Sequence, residues 1–243
     1  MGGLGHYLEA EGIATTGISL IRLHSEKIRP PRALWVPFEL GRPMGAPGDR
    51  AGQEKVLRHA LSLLGRAGPG PILDDYPEEQ APGSSGWTPP ELPWRGSPPS
   101  GAPGWQRALE ADIAALYDRW ERRRAAFGRS TVGVAGLSVE SLPAFMARFA
   151  EGEPQGAVSD LKQAAQTLRY AADDLKAFVM EAADDGPDAP PSTVLANWFW
   201  DETAAGAFLW HLRGALAGAE HPRLKAVGAG MLVPGTQVAR RTA

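Results

Sequence analysis

The chain has no cysteine among its 243 residues. Disulfides, zinc–thiolate sites, iron–sulfur clusters and a cysteine nucleophile are therefore excluded within this sequence. It also lacks a surplus of positive charge. Its 25 Lys and Arg stand against 28 Asp and Glu, for a net charge of −3. An obligate nucleic-acid binder needs basic side chains to neutralise phosphates, so no nucleic-acid partner is expected. No apolar run reaches the ~18 residues of a membrane span, and the N-terminus has no signal-peptide pattern, so a soluble, cytoplasmic protein without a membrane partner is expected. Gly-x-Gly-x-x-Gly after a strand, a Walker loop, a Gly-x-Ser-x-Gly elbow and His-Glu-x-x-His are absent too.

Glycine and proline are abundant, at 29 and 22 residues, and 43% of the chain is hydrophobic. That supplies material for one large domain or two small ones. Met1 to Glu11 reads as a helix closed by Gly12. The β-branched and apolar run Ile13 to Leu20 and the run Arg32 to Phe38 read as strands of a small parallel sheet. Between them lies a polar helical turn. A Gly/Pro-rich loop, Gly41 to Gly48, leads to a helix over Gly52 to Gly65 with Asp49 as its N-cap. Pro71 to Tyr76 is a third short strand with Asp74 and Asp75 at its end, either an acid/base or metal pair or a solvated strand end. Strand, crossover, strand, loop and helix make residues 1–77 a Rossmann-like α/β part, one whose usual first strand is missing ahead of the opening helix.

Residues 78–104, rich in Pro, Gly and Ser, read as a linker or irregular arm. Trp87 and Trp94 within it need a surface to bury against, either on this chain or on a partner, and are assigned to a partner interface. Residues 105–243 are expected to be mainly α-helical. Helices are read over Trp105 to Phe127, from Ser138 to about Phe149, and over Ser159 to Asp184, stopped by Gly186 and Pro187. One nearly all-apolar helix follows from Ser192 to about Ala217, and a last short one from Pro222 to Leu232.

The candidates for chemistry are few. Asp174 and Glu181 lie seven apart on one helix face, with Asp201, Glu202 and His211 on the next helix. The Glu-x-x-His spacing of di-metal bundles is absent, so no metal ligands are assigned. Asp201 and Glu202 are expected to pair with Lys176, Arg169 or Arg213. Arg122, Arg123 and Arg124 suit the negative end of a helix dipole better than they suit phosphate. His6 reads as an exposed surface histidine. The Gly41 to Gly48 loop, with Arg42, offers a small-anion cradle whose prolines reduce its donors. Arg32, Gly41, Arg42, Gly45 and Asp49 are accordingly the expected substrate-binding residues, with no catalytic residue and no cofactor assigned.

The segment GLGHYLEAEGIATTGIS, followed by RPPRALWVPFELGRPMGAPGDRAGQEKVLRHALSLL, resembles the C-terminal part of component B of glycine/sarcosine/betaine reductase and the related D-proline reductase subunit. The matching positions run from Gly3-Leu4 through Gly12-Ile13, then Pro31-Arg32-Ala33, Phe38, Gly41, Pro43, Gly45, Pro47 and Gln53, over about the first third of the chain. The resemblance implies an oxidoreductase that cleaves a C–N bond reductively, with a Sec or Cys attacking the substrate. That residue would precede the first helix, and this sequence offers neither there nor elsewhere. The expectation is thus a subunit that acts on a small molecule only with a Cys- or Sec-bearing partner protein. The alternative is a non-catalytic binding or scaffold protein that kept the fold. A homo-oligomer is compatible with either, and an autonomous metal enzyme or hydrolase using Asp74, Asp75 or the Glu202/His211 region is the third reading.

Overall fold

The computed structural model describes residues 2–46, 48–66, 70–77, 86–154, 160–184 and 190–242. The chain divides into two compact units, Met1–Gly83 and Ser84–Ala243.

The first unit is α/β. Helix α1 (Gly2–Ala10) precedes strand β1 (Gly17–Ser19), helix α2 (Arg22–Ile28), strand β2 (Arg32–Trp35), helix α3 (Arg50–Ser62) with a 3₁₀ turn over Leu63–Gly65, and strand β3 (Ile72–Asp75). Among the described residues the strands form one parallel sheet in the order β1-β2-β3. The strands are shorter than their apolar runs suggest, because ladder pairing covers only three or four residues of each. Asp49 caps α3 as its position implied, accepting a hydrogen bond from the Gly52 N–H at 3.0 Å. Leu34 of the central strand packs with Val56, Ala60, Leu63, Val36 and Tyr76. Ala33, one residue earlier and so directed to the other side of the sheet, lies beside α2.

The second unit is helical. Residues 86–100 are irregular but packed, and α4 (Gly101–Phe127) starts four residues before Trp105. A turn region leads through a 3₁₀ turn over Val139–Ser141 to α5 (Leu142–Ala147). Then come α6 (Leu161–Ala183), α7 (Ser192–Glu202), α8 (Ala204–Ala215), α9 (Pro222–Gly230) and α10 (Gly235–Thr242). The stop for α6 at Gly186 and Pro187 lies outside the described residues. Helix α6 is central: Leu168, Ala171, Ala172, Leu175, Phe178 and Val179 are all buried, at the spacing of one broad stripe.

The single apolar helix expected from Ser192 to Ala217 is two helices. The chain breaks at Thr203, whose backbone is extended (φ −115°, ψ 149°). Its hydroxyl donates to the Phe199 carbonyl at 2.7 Å and accepts from the Gly206 N–H at 3.0 Å, so one side chain closes α7 and opens α8. The corner also requires Gly206, because a Cβ there would stand 2.1 Å from the Phe199 carbonyl oxygen. A thoroughly apolar sequence hides such a break, because periodicity continues across it.

Candidate functional site

The first unit holds a cavity of about 350 Å³ at the entry of strands β1 and β2. Leu4 and Leu8 of α1, Ile28 of α2, and Pro30 and Pro31 before β2 supply apolar wall, while Thr16, Ser25 and Arg32 supply polar groups. Gly17 pairs with Ala33, so the segments that enter β1 and β2 lie at the same end of the sheet.

The electrostatics there are locally balanced. The Arg32 guanidinium is hydrogen-bonded to Glu9 of α1, and the Arg32 side chain is only 16% exposed. The same Glu9 oxygen accepts from the Thr15 N–H and the Thr15 hydroxyl, each at 2.9 Å. The Thr15 N–H first, with the Thr15 hydroxyl and Arg32 adding to it, holds the Glu9 carboxyl below its ordinary range. Two buried polar atoms, Thr16 Oγ1 and Arg32 Nε, have no hydrogen-bond partner among the described residues. Ser25 and Ser19 satisfy one another at 2.7 Å.

The other expected binding residues are not part of this cavity. Arg32 stands at the start of β2, whereas Gly41, Arg42, Gly45 and Asp49 follow its end, and none of those four lines the cavity. Their loop uses its N–H groups on its own turns: Arg42 donates to the Glu39 carbonyl and Gly45 to the Arg42 carbonyl, both at 2.9 Å. Arg42 lies 3.6 Å from the Glu39 carboxylate, and Gly45 sits against the Phe38 ring. Pro47 of this loop is outside the described residues.

The acidic pair at the end of β3 is divided. Asp74 meets His59 of α3 at 3.0 Å and Arg66 at 2.7 Å, and Asp75 meets Arg22 of α2 at 3.1 Å. The His59 hydrogen bond, reinforced by the Arg66 charge, holds the Asp74 carboxyl below its usual range. These contacts tie the sheet to helices rather than converge on one point. His6 of α1 meets the Arg29 carbonyl at 2.7 Å.

In the second unit the carboxylates hold main chain. Asp174 accepts from the N–H groups of Gly133, Val134 and Ala135 at 2.9, 3.0 and 2.8 Å. Glu181 accepts from the Trp120 indole, the Ser130 hydroxyl and both the N–H and the hydroxyl of Thr131. Burial pushes the Glu181 carboxyl up, but those hydrogen bonds outweigh it and leave it below its ordinary value. Among the described residues no group of three or more His, Cys, Asp or Glu has a metal-holding arrangement.

Asp201 does not pair with Lys176, Arg169 or Arg213. It binds Arg240 of α10 at 2.6 Å, while Lys176 meets Asp173 within its own helix and Arg213 meets the Ala229 carbonyl. The expectation failed because α10 was not foreseen. His211 contacts the Ala150 carbonyl at 2.6 Å. Arg123 donates to the Asp184 carbonyl at 3.0 Å, and Arg124 pairs with Glu121 at 2.8 Å.

Trp87 and Trp94 lie on this chain's own helices. Trp87 donates its indole N–H to the Ala183 carbonyl at 3.0 Å and meets Trp198 edge-on, and Trp94 stacks on Trp105. Asp112, which sequence reasoning missed, is 2% exposed and receives the N–H groups of Trp94 at 3.2 Å and Ala204 at 2.8 Å. Burial pushes its carboxyl above the ordinary range despite those bonds. A lone Asp on the buried stripe of α4 is the signal that could have found it.

No family model, curated protein or solved structure matches the chain. Among the described residues no helix is long and apolar enough to cross a membrane.

Proposed function

We propose that the chain is a partner-dependent subunit of a glycine/betaine-reductase-like system, in which a thiol or selenol on another protein drives reductive cleavage of a C–N or related bond. In this reading the α/β unit is Rossmann-like and the partner docks on it. The observation that carries the proposal is the edge of the sheet. Strand β1 pairs only with β2 among the described residues, and Leu4, Tyr7, Ile13, Ile21, Leu23 and Ile28, on α1, on α2 and beside β1, are exposed. An open strand edge among exposed apolar side chains suits strand addition by a second chain. The sequence contains no cysteine, so thiol chemistry has to come from elsewhere.

A non-catalytic scaffold is the second reading, favoured by Asp112, Asp174 and Glu181, which are all engaged in holding main chain. Affinity capture of the tagged chain from its native host, followed by mass spectrometry, separates the two. A stoichiometric protein with a reactive Cys or Sec, and reductase activity in the pair, supports the first. Capture of such a protein without activity leaves the scaffold, and a chain recovered alone rejects the subunit reading.

A further inference from the structure

We propose that α10 is a salt-released latch: closed, it covers the ring of Trp210 on α8, and open, it melts and bares that ring. The first observation is how little of α10 is buried. None of its residues is fully buried, and only Gln237 and Val238 are half-buried. Val238 is the one apolar side chain that α10 packs against the helical core. Just before the helix, Leu232 and Val233 are almost wholly buried, so a fixed anchor precedes a lightly held element. An isolated helix of eight residues falls short of the ~12–15 at which helices become even marginal in water. Helix α10 therefore keeps its shape only while docked.

The second observation is what docks it. Arg240 pairs at 2.6 Å with Asp201, near the end of α7, and both side chains are more than a third exposed. Arg241 sets its guanidinium 4.3 Å from the centre of the Trp210 ring and donates to the Trp200 carbonyl at a long 3.4 Å. An exposed ion pair or cation–π contact shifts an equilibrium by about fivefold or less, and salt screens the charge pair. The helices beneath are held by apolar burial instead: α8 buries Phe208, Leu209 and Leu212, and α6 buries Leu168, Leu175 and Phe178. Screening can therefore lift α10 without loosening the bundle under it. This inference concerns the helical unit and does not rest on the reductase reading, which docks its partner on the α/β unit.

The test is amide hydrogen exchange of the full chain, read by NMR at ~20 mM and ~500 mM NaCl. The amides of Ala239 to Arg241 are expected to exchange at least about a hundredfold faster than those in the middle of α6. At the higher salt they are expected to exchange about three- to tenfold faster again, while α6 is unchanged and the Trp210 indole signal moves in step with α10. Asp201→Asn, at an exposed side chain, is expected to speed that exchange about threefold at low salt and to remove most of its salt dependence. Exchange in α10 as slow as in α6, exchange that ignores salt, a parallel rise in α6, or a Trp210 signal unmoved by salt overturns the latch. Salt dependence that survives Asp201→Asn overturns it as well. Failure to capture a partner protein leaves it intact, so the two proposals fail separately.

Discussion

The two units differ in how much apolar surface they bury and in how they use charge. The α/β unit is centred on Leu34, Val36, Val56, Ala60, Leu63 and Tyr76, while Leu4, Tyr7, Leu23, Ile28, Leu57 and Leu61 remain exposed. The helical unit gathers a cluster several times larger, into which seven of the eight tryptophans are built or packed. Its buried carboxylates, Asp112, Asp174 and Glu181, grip backbone N–H groups, whereas Asp74 and Asp75 of the α/β unit, partly exposed themselves, pair with the exposed Arg66 and Arg22. Exposed ion pairs contribute ~1 kcal/mol or less, while a buried acceptor removed from several donors costs several times that. The helical unit therefore has the larger buried core, and the α/β unit leaves apolar surface and a cavity exposed.

That contrast can be broken most directly with matched core deletions. Leu34→Ala and Leu175→Ala each remove a buried leucine, at a local cost of about 2–5 kcal/mol. In the small α/β core this loss is expected to abolish cooperative unfolding of that unit. In the helical unit it is expected to lower Tm by only ~6–15 °C, at roughly 3 °C per kcal/mol. Scanning calorimetry with proteolysis reads both, and equal responses would erase the distinction.

Glu181→Ala tests the claim that charge holds the helical unit together. It leaves the donors of Trp120, Ser130 and Thr131 without their acceptor, and about 3 kcal/mol is expected to be lost in urea unfolding. Gly206→Ala is expected to cost a similar or slightly smaller amount, about 2–3 kcal/mol, by forcing a methyl against the Phe199 carbonyl at the α7–α8 corner.

Acid sharpens the comparison further. The folded Glu181 carboxyl is lowered, so the stability it contributes is present above the ordinary glutamate value of 4.5 and is lost as pH falls through its folded value. Asp112 has the opposite sign. Its folded carboxyl is raised, so its contribution is present at pH below the ordinary aspartate value of 3.8 and is lost as pH rises through the folded value. Urea midpoints for wild type and Glu181→Gln at about pH 6 and pH 3 should show a smaller acid loss in the variant. The smallest effect is expected for Leu61→Lys on the exposed side of α3, within ~0.5 kcal/mol of wild type by the same measurement.

Much of the architecture was legible because local signals were strong. Asp49 before an amphipathic stretch marked the start of α3, and the stripe from Leu168 to Val179 marked α6. The break at Thr203 was not legible, since apolar residues continue on both sides and only the Thr-x-x-Gly spacing betrays a cap. The site was less legible still. Sequence reading grouped Arg32 with Gly41, Arg42, Gly45 and Asp49, but a strand separates them, and Arg32's partner is Glu9 of α1, which also holds Thr15. A contact between a helix and a strand is a property of two segments together, and no local pattern contains it. The fate of Trp87 and Trp94 depended in the same way on Ala183, Trp198 and Trp105, far along the chain.

The clasp on residues 130–135 has a consequence for how this protein can change over time. Asp174 grips peptide groups rather than side chains, so it is indifferent to what Gly133, Val134 and Ala135 carry, provided the chain keeps its path. Val134 is free to drift, while Gly133 is held by its φ of 120°, Ser130 and Thr131 by the hydroxyls they give to Glu181, and the two acids seven residues apart on one helix stay fixed. Kinship to other chains should thus be sought in that acidic pair, together with a Trp at the position of Trp120 and hydroxyl side chains at those of Ser130 and Thr131, and not at Val134.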